Sequence, residues 1–290
     1  MQEILRNYPE DKQKNRALIF GIMLTAYISG VMMLGNSGGE VDNDLILGMD
    51  PIFLLAVQGI AATFMFIGAS ALFIGVALKI PFTEFFPKIS LQTIGLTIGI
   101  SISFMVVNSA VGEWNMNMDF GNSEWAEWAR RSEEQLKVLT EHLTNFNSTS
   151  HFILALVVVA IIPAIGEELL FRGLIQNLFA KAFANPHIAI WVTGLIFAAI
   201  HMQFFGVVPR MFLGVLFGYL YFWSGKLSVA MIGHLVNNGL ALIALYVAQK
   251  DIVEVSPEQM EQAAPWPAIL IFAVISFLLI RIFYKKFQHA

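Results

Sequence analysis

The chain has 290 residues, of which 57% are hydrophobic and 13% are charged, and its mean hydropathy is +0.68. Soluble domains are typically about 45–50% apolar and about 25% charged, so this composition indicates an integral membrane protein. The absence of cysteine excludes disulfides, thiolate metal sites and cysteine nucleophiles. The net charge of −4 gives no sign of nucleic-acid binding, so no nucleic-acid partner is expected.

Eight apolar stretches are long enough to be membrane-spanning helices, since about 20 apolar residues cross a bilayer. The second and fourth stretches are longer than one crossing needs, which predicts tilt or extension beyond the bilayer. The fifth and sixth are barely long enough. We therefore predict an all-α polytopic membrane bundle, forming a single domain over residues 1–290, with spans at about 17–34, 52–79, 90–111, 151–180, 187–204, 208–223, 228–248 and 266–284.

The basic residues concentrate in the segments that eight crossings would place on one side of the membrane, and basic loops are typically cytoplasmic. The opposite loops, such as GNSGGEVDNDLILGMD, are acidic. Both termini are therefore predicted to be cytoplasmic, and Arg210 is the one clear exception to the charge pattern. The basic residues that set the pattern are Arg6, Lys12, Lys14, Arg16, Lys79, Lys88, Lys181, Lys226, Arg281, Lys285 and Lys286.

Residues 112–150 form the one sizeable segment that we expect outside the membrane. Its apolar residues recur every three or four positions, which is typical of one face of an amphipathic helix. Two interpretations are open: a helix on the membrane surface with its tryptophans at the interface, or a lid or substrate-docking element. The predicted apolar face consists of Trp125, Trp128, Ser132, Leu136, Leu139, Leu143 and Phe146.

Polar and ionisable side chains are concentrated in predicted spans four to seven, whereas the first three spans contain no such set. An ionisable group at the centre of a bilayer costs at least about 2.5–3.5 kcal/mol, so such residues indicate a functional site. Their restriction to the second half of the chain predicts a single buried site. They are Glu167, Glu168, Arg172, His201, His234, Asn237 and Asn238.

The motif IIPAIGEELLFRG brings two carboxylates and a guanidinium into the fourth span. Glu168 and Arg172 are four residues apart, so they share a helix face and are predicted to pair. Glu167 is turned by about 100° from Glu168, and we predict that it is available for chemistry. Pro163 predicts a kink near the carboxylates, because it removes a backbone hydrogen bond and clashes with the carbonyl four residues earlier.

This set of residues could hydrolyse a peptide bond without a serine or cysteine nucleophile. A glutamate in an apolar site suits a general base near neutral pH, and a histidine can orient the same water. His234 and Asn238 are four residues apart on one helix face and can donate to an oxyanion. A zinc ion held by Glu167, His201 and His234 is an open alternative, although the compact HExxH helix is absent.

The motifs EELLFRG, FAAIH and HLVNN resemble the three motifs of the CPBP family of intramembrane proteases, in the same order and each on its own predicted helix. This family, also called Abi, comprises CAAX prenyl endopeptidases and bacteriocin-processing enzymes. The spacing agrees as well, with 34 residues from Glu167 to His201 and 33 from His201 to His234. The resemblance covers about residues 150–247, which are the expected catalytic core.

The resemblance implies roles for the matching residues. Glu167, with His201, would activate the attacking water of an intramembrane endopeptidase. His234 and Asn238 would form the oxyanion site.

The resemblance also makes Glu168 and Arg172 a supporting pair, and it leaves open whether the enzyme is a metalloprotease or a glutamate-dependent protease. The substrate would be a peptide or a membrane-associated protein, prenylated or not, with membrane lipid as the surrounding partner. Two other functions fit the same residues. One is a non-catalytic membrane scaffold or immunity factor, and the other is a proton-coupled transporter with Glu167, His201 and His234 as a relay.

Overall fold

The structure is a computed structural model that describes residues 47–250, 252 and 262–288. The first predicted span, 17–34, and the basic residues before it lie outside the described residues. The described part is helical and contains no strand, which confirms the predicted all-α class. Its helices are α1 (Pro51–Val76), α2 (Leu91–Met116), α3 (Glu124–Thr144), α4 (Thr149–Phe183), α5 (Pro186–Ala199), α6 (Val207–Ser224), α7 (Leu227–Gln249) and α8 (Trp266–Gln288), with 3₁₀ turns at Phe82–Glu84 and Phe204–Gly206.

Six of these helices are long and apolar enough to cross a membrane: α1, α2, α4, α6 with its preceding 3₁₀ turn, α7 and α8. The helix α5 has only 14 residues. It rises about 21 Å, whereas the hydrocarbon core of a bilayer is about 30 Å thick. The helix in the predicted fifth span, 187–204, is therefore shorter than expected. The described residues fit a polytopic membrane bundle without confirming the predicted count of eight spans.

Small polar residues fix where several helices begin. The side chain of Asp50 accepts a hydrogen bond from Phe53 N at 2.8 Å, and that of Asn185 accepts from His187 N at 2.9 Å. Each bond satisfies one of the backbone N–H groups that a helix start leaves without an intrahelical partner. Serines have the same role at the starts of α2, α3 and α4, where the capping residues are Ser90, Ser123 and Ser148.

The central element is α4, which spans 35 residues and is the most buried of the six long helices. Two π-helical segments, Leu156–Ile161 and Leu169–Ile175, flank the α-helical turns Ile162–Glu168. Pro163 lies at the start of these turns, immediately after the first π-helical segment. A departure from regular α-helical hydrogen bonding thus lies beside the proline, whereas the kink itself stays a prediction. The second π-helical segment follows the two glutamates directly.

Glycines allow three neighbouring helices to approach α4 and each other closely. A methyl group built on Gly166 of α4 would lie 2.7 Å from Cβ of Phe66 in α1, so only glycine fits there. The sequence pair Gly214 and Gly218 predicts close packing, and a methyl group on Gly214 would lie 3.0 Å from Cα of Gly194 in α5. The sequence also contains a second small-residue pair, Gly95 and Gly99 in GLTIG, but a methyl group built on Gly95 would have no neighbour within 4 Å.

The amphipathic helix predicted within residues 112–150 is α3, but the residues that it buries within the protein only partly coincide with the predicted apolar face. Trp125 is 48% exposed, and its ring meets Phe204 edge-on at 5.3 Å. Small residues that follow each tryptophan occupy the buried positions instead, because they let the helix backbone approach its neighbours. The buried residues of α3 are Ala126, Ala129, Ser132, Leu143 and Thr144.

The contact between α4 and α1 leads to a testable prediction. Gly166→Ala should destabilise the protein by about 1–3 kcal/mol, because the added methyl group overpacks the contact with Phe66. The matched control is Gly95→Ala, which should leave stability unchanged or raise it by up to about 1 kcal/mol, since alanine is the better helix former. Unfolding in detergent micelles, followed by tryptophan fluorescence, measures both. Equal stabilities of the two variants would contradict the packing argument.

Candidate active site

Glu168 and Arg172 form the predicted ion pair inside the bundle. Arg172 Nη1 donates to Glu168 Oε1 at 2.9 Å, and both side chains are fully buried. Arg172 Nη2 donates to the backbone carbonyl of Gly214 at 2.7 Å, so the pair also ties α4 to α6. Glu168 Oε2 and Arg172 Nε have no hydrogen-bond partner among the described residues. The two charges therefore depend strongly on each other, because both side chains are fully buried and removal of either would leave an uncompensated buried charge.

Aromatic rings surround the guanidinium of Arg172. Its Cζ atom lies 4.7 Å from the ring centroid of Phe197, 5.7 Å from that of Phe217 and 6.0 Å from that of Phe171. A desolvated cation over aromatic faces gains about 2 kcal/mol or more. The rings therefore offset part of the free energy that burial of this charge requires.

Glu168 also accepts a hydrogen bond from His234, a contact that the spacing of the two residues in the sequence does not predict. His234 Nδ1 lies 2.9 Å from Glu168 Oε1, the same oxygen that accepts from Arg172. Because a carboxylate oxygen accepts, Nδ1 carries the proton of the neutral ring, and Nε2 is then an acceptor. Nε2 lies 3.2 Å from Asn238 Nδ2, whose N–H group can satisfy it. The ring of Phe217 stacks on His234 at 5.3 Å and fixes its plane.

Glu167 faces the same histidine from the other side. Its Oε2 atom is 4.0 Å from His234 Nε2, which is beyond hydrogen-bond distance. The residue is only 8% exposed, and Oε2 has no hydrogen-bond partner in the described part of the chain. The two neighbouring glutamates thus differ as the helix geometry predicts: Glu168 is bonded twice, whereas Glu167 keeps a free acceptor beside an imidazole.

Asn238 is positioned by the distortion at Pro163. A proline has no N–H group, so the carbonyl of Val159, four residues earlier, loses its usual α-helical donor. Asn238 Nδ2 donates to that carbonyl at 3.1 Å, and Asn238 Oδ1 accepts from Asn237 Nδ2 at 3.0 Å. The amide therefore has a fixed orientation, with its nitrogen directed at both Val159 and His234.

His201 lies in the turn between α5 and α6, and the ring of Phe197 connects it to His234. Its Nδ1 donates to the backbone carbonyl of Phe197 at 2.7 Å, which leaves Nε2 as an acceptor. The ring of Phe197 meets His201 edge-on at 5.2 Å and also contacts His234 at 5.9 Å. Within the described part of the chain, His201 makes no hydrogen bond to Glu167 or to His234.

The predicted metal ligands Glu167, His201 and His234 include two suitably oriented histidines, but the three side chains are not grouped to hold a metal ion. His201 and His234 both direct Nδ1 at an oxygen and present Nε2, which is the usual arrangement around a metal-bound histidine. No group of three or more histidine, aspartate or glutamate side chains among the described residues is placed to hold a metal ion, however. Glu167, His201 and His234 as they lie do not form such a group.

Three further contributors to the site are not indicated by the residue pattern. They are the carbonyl of Gly214, the carbonyl of Val159 and the ring of Phe217. The glycine pair in GVLFG is a usable signal for the first, because a glycine lets a backbone carbonyl approach a buried side chain. Pro163 is a usable signal for the second, since it identifies the carbonyl that lacks its helical donor.

The turn that carries His201 is held by two elements outside the motifs. Asn115 of α2 donates to Phe204 O at 3.2 Å and accepts from Val208 N at 2.8 Å. Glu133 of α3 accepts from Phe205 N at 3.4 Å. Burial raises the pKa of the Glu133 carboxyl above its usual value, although the hydrogen bond from Phe205 opposes the shift.

The fold and the site define a polytopic membrane protein with a glutamate–histidine–arginine centre buried among its helices. Residues 149–240 match the family model of the type II CAAX prenyl endopeptidase Rce1-like proteins. All seven residues of the predicted buried site lie within this segment. The match confirms the resemblance of this segment to the CPBP family.

One curated relative shares part of the chain. The "Uncharacterized protein YpbD" of Bacillus subtilis (strain 168) is 31% identical over 85 residues, which are 28% of this chain and 40% of YpbD. The chain thus spans less than half the length of this relative. No solved structure matches the chain significantly.

The different bonding of the two glutamates predicts different effects on stability. Glu168→Gln should cost about 3–5 kcal/mol of unfolding free energy, because it leaves the buried Arg172 without a charged partner. Glu167→Gln should change it by less than about 1 kcal/mol, since no hydrogen bond is lost. Unfolding of the two purified variants in the same detergent is the measurement. Equal losses would contradict the assignment of the ion pair.

Proposed function

We propose that the protein is an intramembrane endopeptidase in which Glu167 activates water for attack on a peptide bond. The observation that carries the proposal concerns the buried carboxylate oxygen Oε2 of Glu167, which has no hydrogen-bond partner among the residues that the structure describes. This oxygen lies 4.0 Å from Nε2 of His234, whose other ring nitrogen is bonded to Glu168. An unbonded buried acceptor is unfavourable for folding alone, so a function is the better explanation. The Rce1-like match over residues 149–240 supports the same chemistry.

In the proposed reaction, water donates one hydrogen bond to Glu167 Oε2 and one to the free Nε2 of His201. Glu167 takes a proton as the water oxygen forms a bond to the carbonyl carbon of the substrate, and the carbonyl electron pair moves onto its oxygen. Collapse of this tetrahedral intermediate breaks the C–N bond. The leaving amine then receives the proton from Glu167, which restores the carboxylate.

His234 and Asn238 are the proposed donors to the oxyanion. In the described arrangement Nε2 of His234 accepts from Asn238, so His234 can donate there only after Nε2 gains a proton. Protonation of Nε2 would also release the Asn238 N–H group, so both donors become available together.

The substrate in this proposal is a peptide or a membrane-associated protein, as the resemblance to CAAX-type proteases implies. The catalytic core comprises about residues 150–247, within a single membrane domain. The distribution of basic residues supports cytoplasmic termini.

Glu167→Gln should reduce cleavage of a quenched-fluorescence peptide library by at least about 10²-fold, the usual contribution of a general base, while the protein remains folded. The assay uses the purified full chain in detergent, with and without a chelator. Inhibition of the wild type by the chelator would assign the reaction to a metalloprotease, and an unchanged rate would assign it to a glutamate-dependent protease.

The matched control for this variant is Glu134→Gln, the same substitution at an exposed position of α3. It should cleave at the wild-type rate. A Glu167→Gln protein that cleaves as fast as this control would overturn the proposed function.

A further inference from the structure

Arg210, the basic residue that breaks the charge pattern of the loops, lies in the first turn of α6. It precedes by one helical turn Gly214, whose carbonyl accepts from Arg172 of the candidate active site. Its Nη2 donates to Gln203 Oε1 at 2.8 Å, and its Nη1 lies 3.5 Å from the carbonyl of Gly206. A guanidinium has five N–H donors, so these contacts leave several available. No carboxylate among the described residues lies within ion-pair distance of Arg210, unlike the buried Arg172.

The backbone around Arg210 is fixed by buried amides of α2. Asn115 is fully buried and bonds to both Phe204 O and Val208 N, while Asn108 donates to the carbonyl of Pro209 at 3.0 Å. These bonds hold the residues immediately before Arg210 in one position relative to α2. The guanidinium is therefore presented by a rigid support rather than by a free loop, which is what a binding group requires.

Arg210 follows the turn that carries His201 of the candidate site, and Glu133 of α3 is bonded to that same turn. Glu133 is partly buried and accepts from Phe205 N, so its carboxylate is already engaged. Within the described part of the chain, the side chain of Arg210 thus bonds only to neutral groups. A negatively charged ligand that entered beside Glu167 would complete the charge balance.

We propose that Arg210, together with the amide of Gln203, binds a carboxylate of the peptide substrate and thereby positions the peptide against Glu167. A guanidinium fork matches the two oxygens of a carboxylate, and the Gln203 amide nitrogen adds a further donor at the same place. The carboxylate is either the C-terminus of the peptide or an aspartate or glutamate side chain. The positioning of a cleaved peptide rests on the proposed function, whereas the binding of the carboxylate does not.

The test measures binding by the full-length Glu167→Gln protein in a neutral detergent. The probes are fluorescein-labelled pentapeptide mixtures of alanine, valine, leucine and phenylalanine, made as free acids, as C-terminal amides, and as amides with one internal aspartate. Fluorescence anisotropy should show that a carboxylate-bearing mixture binds at least about tenfold more tightly than the plain amide. Arg210→Gln in the same background should abolish that preference.

The three mixtures identify which carboxylate is bound. A preference for the free acid assigns the C-terminus, and a preference for the aspartate mixture assigns a side chain. Equal binding of all three mixtures, absence of binding at millimolar protein, or a preference that survives Arg210→Gln would each overturn the proposal.

Two more variants keep the test decisive if Arg210→Gln misfolds. Gln203→Glu places a carboxylate beside the guanidinium and should remove the preference while Arg210 stays in place. Arg131→Gln, at an exposed position of α3, is the matched control and should leave the preference unchanged. If the wild type cleaves no peptide, the proposed function fails, but the binding preference still reports on Arg210.

Discussion

Oxygen Oε1 of Glu168 is the atom on which the rest of the site depends. It accepts from Arg172 on its own helix and from His234 on α7, each at 2.9 Å. Without its charge, the guanidinium would be buried uncompensated, and the histidine would lose the acceptor that selects its tautomer. One oxygen thus combines two functions, because it neutralises a cation in an apolar interior and orients the imidazole beside Glu167.

The irregular stretches of α4 supply backbone groups that a regular helix would keep for itself. The carbonyl of Val159, left without its α-helical donor by Pro163, accepts from Asn238. In the second π-helical segment, the carbonyls of Arg172 and Gly173 each accept from Asn177 Nδ2 at 3.0 Å. An apolar environment offers no water to such groups, so side-chain amides from nearby positions must satisfy them. The distortions and the buried amides therefore require each other.

The sequence predicted best what depends on spacing along one helix. Glu168 and Arg172 pair because they are four residues apart, and Gly214 lies against Gly194 because a small-residue pair permits it. Contacts between helices could not be predicted in the same way. His234 and Glu168 are 66 residues apart in the chain, and Asn238 and Val159 are 79 apart, so their contacts depend on how the helices pack.

Two other differences between expectation and structure have local causes. The predicted fifth span extends to residue 204, but its helix ends at Ala199. Met202 then adopts a positive φ of 54°, and the apolar residues around it belong to a turn. In α3, hydropathy places the tryptophans on the predicted apolar face, whereas close packing buries the alanines that follow them. Hydrophobic periodicity records which residues avoid water, but it does not record which of them leave room for a neighbouring helix.

The shortness of α5 has a consequence for how a hydrolase could obtain water inside a lipid bilayer. A helix that rises about 21 Å ends before it has crossed a hydrocarbon layer of about 30 Å. The turn after Ala199 has its exposed backbone groups satisfied by Asn115 and Glu133, so the protein can keep non-helical chain at this depth. A helix that ends inside the hydrocarbon layer would shorten the path from the aqueous phase to the reacting groups, so that the protein itself, rather than the lipid, would control the entry of the water that is consumed.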